Sequence, residues 1–222
     1  MKWFNYLYTR IVTGDGLRKS RLHTYSGRMI DLAGMAYLPL SVWSVFLLKL
    51  FGYRQRRPWL GYRAVKYLDS IIGSDWYILE FGSGMSSLFL AQRCRKLVSI
   101  ESDPIWYRKM ELEFAKFGLS NIDYRFRCIN DYAIHSDLIA NSFDLVIIDG
   151  LVRDQCVNTA LEKVKAGGYV FLDNSDVPWD EFKSARETLT DPSIAESIMT
   201  FVDFYPFQIQ VNESLLVRIK KQ

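Results

Sequence analysis

Two glycines flank a serine in Glu80-Phe81-Gly82-Ser83-Gly84, and an acid, Glu101, follows nineteen residues after Gly82. Glycines in such a loop permit positive φ and let a backbone approach a ligand closely. A helix starting just after the loop would offer free N–H groups to a polar ligand. Glu101 closes a short strand-like run, Lys96–Ile100. A carboxylate there is a bidentate acceptor suited to the hydroxyls of a ribose. A GxG loop alone is a weak signal. Set between a strand and a helix, with an acid about twenty residues on, it is a nucleoside-binding pattern.

A second constellation is Asp149 with Asp173 and Asn174. Each group follows an apolar run, so adjacent strand ends would gather their oxygens at one edge of a sheet. Three oxygen ligands suit Mg²⁺ or Ca²⁺. The other reading of Asp173-Asn174 is a turn or helix cap before Trp179. Arg153 is the nearest cation after Asp149. It stays protonated and makes a poor base, but it could clamp a carboxylate or phosphate on a substrate. His135 is expected to be structural or solvent-facing rather than a general base. Two histidines are too few for a histidine metal cluster. Cys94, Cys128 and Cys156 form no CxxC pair, which argues against a disulfide framework or a zinc site.

The elements that must position these groups alternate. Trp76–Phe81 reads as a buried strand, Ser86–Arg95 as a helix, and Lys96–Ile100 as a second strand. Pro104 opens a helix over Ile105–Phe117, stopped by Gly118. Ile122–Ile129 and Phe143–Ile148 are further strands. Gln155–Lys165 is a helix closing on Gly167-Gly168, Tyr169–Leu172 a fifth strand, and Trp179–Leu189 another helix. Met199–Phe207 and Ser214–Ile219 are two strand-like runs joined by a polar turn, hence antiparallel. Alternation of this kind implies a mostly parallel sheet covered by helices on both faces.

These residues resemble the class I S-adenosylmethionine-dependent methyltransferases. The acid and GxG loop of that family match Glu80, Gly82 and Gly84; its ribose-binding acid matches Glu101 in Ile-Glu-Ser-Asp. Its adenine-side position matches Asp131 in Ile-Asn-Asp-Tyr, and its fourth-strand motif matches Phe143 to Gly150. The resemblance covers roughly residues 60–222. It implies an α/β, Rossmann-like, seven-stranded mostly parallel sheet with an antiparallel last strand. It implies a cofactor site of Glu80, Gly82, Ser83, Gly84, Ser86, Glu101, Ser102, Asp131, Tyr132 and Asp149. Asp149, Asp173 and Asn174 resemble the metal site of catechol-type and caffeoyl-CoA-type O-methyltransferases, so Mg²⁺ is a candidate cofactor beside S-adenosylmethionine. Those enzymes carry a lysine shortly after the first aspartate; this chain has Arg153 instead, and Asp149 and Arg153 become the candidate catalytic pair. A nicotinamide-dependent oxidoreductase would use a longer GxGxxG, whereas Ser87 stands at its third glycine.

Charge is uneven along the 222 residues. Residues 1–66 carry +10 and residues 67–222 carry −7, for a net charge of +3. The first part therefore either binds an anionic partner or packs on the acidic remainder. Arg54, Arg56, Arg57 and Trp59 follow an apolar stretch, Ala33–Phe51, that Pro39 interrupts. That stretch reads as a buried or interfacial helix rather than a membrane span. The chain is expected to divide into a basic, aromatic, helical N-terminal extension or cap, 1–58, packed by Trp3, Phe4, Tyr6 and Tyr8, and a methyltransferase domain, 59–222. A solvated charge run is the other reading of the basic segment.

The expected function is S-adenosylmethionine-dependent methyl transfer to oxygen of a small molecule or glycan. The alternative is a non-catalytic cofactor-binding or membrane-peripheral module using the basic arm. A nucleic-acid partner is not expected, because no recognised RNA or DNA motif accompanies the arginines. Peripheral membrane contact and a homodimer remain open. Met1–Arg10 lacks the apolar core of a secretory signal, so a cytoplasmic, membrane-peripheral location is the expectation.

Overall fold

A computed structural model describes residue 12 and residues 16–221. After an irregular segment, residues 16–31, come α1 (Leu32–Met35), α2 (Leu38–Phe51) and α3 (Tyr62–Ile71). The alternating part runs β1 (Tyr77–Phe81), α4 (Met85–Ala91), β2 (Lys96–Glu101), α5 (Pro104–Lys116), β3 (Ile122–Phe126), β4 (Phe143–Ile148), α6 (Arg153–Lys163), β5 (Val164–Leu172) and α7 (Asp180–Thr190). It closes on a hairpin, β6 (Ala195–Phe204) and β7 (Val211–Ile219).

The seven strands form one sheet in the order β3-β2-β1-β4-β5-β7-β6. β1 to β5 pair in parallel, and β7 runs antiparallel to both β5 and β6. The continuous apolar runs of β1 and β4 occupy the centre. Ile78, Leu79, Phe81 and Leu145 to Ile148 are fully buried there, which is why they do not alternate with polar residues. Burying each such side chain is worth about 2 kcal/mol. Successive strands leave β1 on opposite sides, β2 and β3 one way and β4 and β5 the other. The gap between the carboxyl ends of β1 and β4 is therefore the switch point where sheets of this kind bind ligands.

One sequence expectation is corrected. Gly167-Gly168 does not end a helix: it lies inside β5, which begins at Val164. Gly167 adopts φ +77° and the pairing with β4 shifts register between Phe143 and Leu145, so the glycines form an irregularity within a strand. The N-terminal extension carries helices, as expected, at Leu32–Met35 and Leu38–Phe51. Residues 16–31 form an irregular strap in which His23 bridges to Met29.

Most ion pairs of that strap and of α3 are made with the acidic domain. Arg18 donates to the Val211 carbonyl and, at 2.9 Å, to the Asn212 side chain. Arg28 lies 3.5 Å from Glu213, and Arg63 2.5 Å from Asp203. Ile30, Phe204 and Val211 form a small core beneath the strap. Packing on the acidic domain, one of the two readings of the charge asymmetry, is thus realised for Arg28 and Arg63. The aromatic cap of Trp3, Phe4, Tyr6 and Tyr8 lies outside the described residues.

Candidate cofactor and active site

The turn after β1 is held by hydrogen bonds that the strand ends provide. Gly82 N–H donates to the Ile100 carbonyl at 3.0 Å, joining the turn to β2. Gly82 adopts φ +96°, and a Cβ there would meet Gly150 N at 2.8 Å and the Asp149 carbonyl carbon at 2.9 Å. Only glycine accommodates both the backbone and the approach of the β4 turn. A Cβ on Gly84 would meet nothing closer than Ser86 Oγ at 3.9 Å, so the backbone there borders open space.

Glu101 governs the outer side of the turn. One carboxylate oxygen accepts from the Ser83 hydroxyl at 2.8 Å and the Ser83 amide at 3.2 Å. The other accepts from the amides of Ser102 at 2.7 Å and Asp103 at 2.8 Å. Ser83 is also tied at 2.7 Å to the Tyr124 hydroxyl, and its carbonyl accepts from the Trp106 indole at 2.9 Å. The expected ribose acceptor is thus already aimed at the loop, with hydroxyl-bearing neighbours that a ribose hydroxyl could replace.

Glu80 is a brace rather than a contact. It is fully buried, and one oxygen accepts from Ser87 at 2.5 Å and Ser99 at 2.7 Å. Ser87 in turn accepts from the Gly84 amide at 3.0 Å, so Glu80 fixes the second glycine through one hydroxyl. Burial pushes the Glu80 carboxyl up to about 7, against the pull of the surrounding serine hydroxyls. Ser86 is buried in the first turn of α4.

Asp131 ends a short 3-10 turn, Ile129–Asp131, after β3; it is exposed and accepts from Cys128 Sγ at 3.2 Å. Tyr132 is buried, its ring 6.0 Å from that of Phe81 and its hydroxyl against Gly150, so it supports the β4 turn from below. His135 is buried too. Its Nε2 lies 2.9 Å from the Tyr132 carbonyl, which can only accept, so Nε2 carries the proton; burial lowers its pKa. Its role is structural.

At the ends of β4 and β5 the expected metal site is filled by a cation from the chain. Arg153 reaches back one helical turn: Nη2 donates to Asp149 at 3.3 Å, Nε to the Gly150 carbonyl at 3.1 Å, and Nη1 to the Asp173 carbonyl. Its guanidinium also lies 4.6 Å above the Phe182 ring. Asp173 is 1% exposed, and its two carboxylate oxygens accept from Tyr205 and from the Asn174 amide. Asn174 therefore turns its donor, not its oxygen, toward Asp173. Asp149, Asp173 and Asn174 do not form an open oxygen set for Mg²⁺, and the described residues contain no group of three His, Cys, Asp or Glu side chains fit to hold a metal. Arg153 is buried and donates to Asp149, Gly150 and Asp173, so those donations turn inward rather than toward a substrate anion.

Burial, then the neighbouring Asp173, push the Asp149 carboxyl well above the usual carboxylate range, while Arg153 pulls it down. Asp173 is raised by burial and held back by Arg153 and Tyr205. The Asp149 side chain is 26% exposed, so of this cluster it is the member that reaches the surface. The turns after both strands are strained: Val152, a β-branched residue, sits at φ 42° after β4, and Asn174 at φ 52° after β5. Backbone of this kind persists where the surrounding structure enforces it. Tyr205, Tyr124, Trp106, Ser87 and Ser99 were not identified from the sequence. Only Ser99 left a trace there, as a polar residue inside an apolar strand.

No protein-family model matches the chain, and no curated protein matches it by sequence. Among solved structures it is similar to the O-methyltransferase TomG from Streptomyces achromogenes in complex with SAM, at 16% identity and TM-score 0.63 over 86% of this chain and 100% of that one. It is similar to a putative O-methyltransferase from Klebsiella pneumoniae, at 14% identity and TM-score 0.60 over 97% and 95%. It is also similar to a tRNA methyltransferase from Aquifex aeolicus, at 13% identity and TM-score 0.57 over 79% and 76%. The likeness is one of fold: this chain has the class I S-adenosylmethionine-dependent methyltransferase fold.

Proposed function

We propose that the chain is an S-adenosylmethionine-dependent methyltransferase acting on a hydroxyl oxygen of a small molecule or glycan. The observation that carries the reading is the Glu101 carboxylate fixed on the Ser83 turn at the switch point of the sheet. Gly82 and Gly84 bring no side chain of their own to the turn, Glu101 would supply the acceptor for ribose hydroxyls, and Asp131 would stand on the adenine side. S-adenosylmethionine, when bound, supplies an electrophilic methyl group on a sulfonium sulfur.

Asp149 is the group placed for proton transfer. It is the partly exposed member of the carboxyl pair, within reach of an acceptor at the edge of the sheet, and its carboxylate would be the general base. It would accept the acceptor hydroxyl's proton as the oxygen takes the methyl group. Asp173, held by Tyr205, and Arg153 keep the Asp149 carboxylate in place. Orientation of the acceptor against the methyl group then supplies much of the acceleration. No metal is used in this account, since the donor set does not fit one.

The buried state of Asp173 and Arg153 favours a second reading, a module that binds the cofactor without catalysis. Transfer of labelled methyl from S-adenosylmethionine to a panel of hydroxylated small molecules and glycans separates the two. Turnover that falls by about 100-fold or more in Asp149→Asn supports the first. Cofactor binding with no transfer to any acceptor supports the second.

A further inference from the structure

Helix α2 is turned inside out relative to a core helix. Its only fully buried residues are Ser41 and Ser44. The Ser41 hydroxyl donates to the Tyr205 carbonyl at 3.0 Å; the Ser44 hydroxyl donates to the Ser41 carbonyl at 2.7 Å and accepts from Phe207 N–H at 2.8 Å. Its large apolar side chains point the other way. Trp43 is 52% exposed and Phe51 69%, with Leu40, Val42, Phe46 and Leu50 exposed beside them. Trp43 and Phe46 stack at 5.3 Å on this outer face. A water-facing helix would show the opposite pattern, and a contiguous apolar face of this kind marks an interaction surface.

Charge identifies what covers it. From Leu32 to Leu68 the chain has no Asp or Glu, while Lys49, Arg54, Arg56 and Arg57 stand at the carboxyl end of α2 and just beyond it. Arg56 lies 3.9 Å from Glu113 and over the Phe117 ring, and Arg54 lies over the rings of Trp59 and Phe207. Among the described residues, no carboxylate lies within ion-pair distance of Arg54 or Arg57. Aromatic and aliphatic side chains flanked by cations suit the headgroup boundary of an anionic bilayer. Residues 32–51 are long and apolar enough to span a membrane. The middle of that stretch, at Ser41 and Ser44, is fixed to the polar domain, so the geometry is that of a helix lying in the interface.

We propose that α2 and the Arg54, Arg56, Arg57 cluster dock this protein on the surface of an anionic lipid bilayer. The dock is next to the candidate active site. Tyr205 accepts from Ser41 through its carbonyl and donates to Asp173 through its hydroxyl. The carboxyl edge of the sheet is therefore held one residue away from the bilayer-facing helix, and an acceptor carried by or dissolved in the membrane would enter there. This last step rests on the methyltransferase reading; the docking itself does not.

The test is co-sedimentation of the full chain with phosphatidylcholine vesicles with and without phosphatidylglycerol, over a range of salt. The protein should partition to phosphatidylglycerol vesicles at least about 10-fold better than to neutral ones, and less well as salt rises. Trp43→Ser with Phe46→Ser, and separately Arg54→Gln with Arg56→Gln and Arg57→Gln, should each lower partitioning by about 10-fold or more. S-adenosylhomocysteine binding, measured on the same variants, shows that they are folded and tests the cofactor reading independently. Absence of vesicle binding, or binding unchanged in both variants, overturns the proposal. So does a wild-type dimer that Trp43→Ser with Phe46→Ser turns into a monomer without any vesicle binding, which would assign the face to a second copy of the chain.

Discussion

Arg153 places its Nη2 3.3 Å from the Asp149 carboxylate, four residues earlier, at the point where a divalent cation was expected. The same guanidinium donates to the Asp173 carbonyl. One protein cation thus lies against the edge formed by two acids, and its removal would leave the buried Asp173 and the partly buried Asp149 without that compensation.

Arg153→Ala is accordingly expected to destabilise the fold by roughly 3 kcal/mol, a cost typical of breaking one side of a buried pair. Adding Asp149→Asn should recover part of it, because one of the uncompensated acids is then gone. Urea denaturation of the two variants measures this. Equal stability of Arg153→Ala and wild type would show that the guanidinium is not what holds the edge together.

Divalent metal should matter little. With both Asp173 oxygens taken by Tyr205 and Asn174, millimolar magnesium or EDTA is expected to leave the thermal midpoint unchanged, with or without S-adenosylhomocysteine. A saturable rise with magnesium, abolished by Asp173→Asn, would restore the metal site.

Glu80 gives a pH dependence of known sign. Its folded pKa, about 7, lies above the ordinary 4.5. Between these values the folded chain keeps a proton that the unfolded chain has lost. Stability from this group is therefore greatest below about 4.5 and falls as pH rises to about 7, by about 3 kcal/mol in all. Glu80→Gln removes the ionisation, so its stability should change less between pH 5 and pH 7.5. Denaturant midpoints at the two pH values check this; identical pH slopes in wild type and variant would contradict it.

Much of the site was legible because its residues lie close together in the sequence. The loop, Glu101 and Asp149 each stand at the end of an apolar run, and apolar runs report strands directly. The rest depended on distant partners. Nothing near Arg28 or Arg63 in the sequence indicates Glu213 or Asp203, so where the basic segment packs was open. Tyr205 reaches Asp173 only because β7 folds between β5 and β6. The start of β5 was missed because Val164 to Ala166 carry no period of their own; pairing with β4 makes them a strand. The i, i+4 spacing of Asp149 and Arg153 was visible, but its meaning required knowing that a helix begins at Arg153.

The central claim is that the Ser83 turn and Glu101 bind an adenosyl cofactor, and calorimetric titration of the full chain with S-adenosylhomocysteine tests it most directly. The account predicts saturable one-to-one binding, weakened by about 10-fold or more in Glu101→Ala as its ribose acceptor is lost, with the fold intact by circular dichroism. No binding to the wild-type chain, or equal affinity in Glu101→Ala, would contradict it.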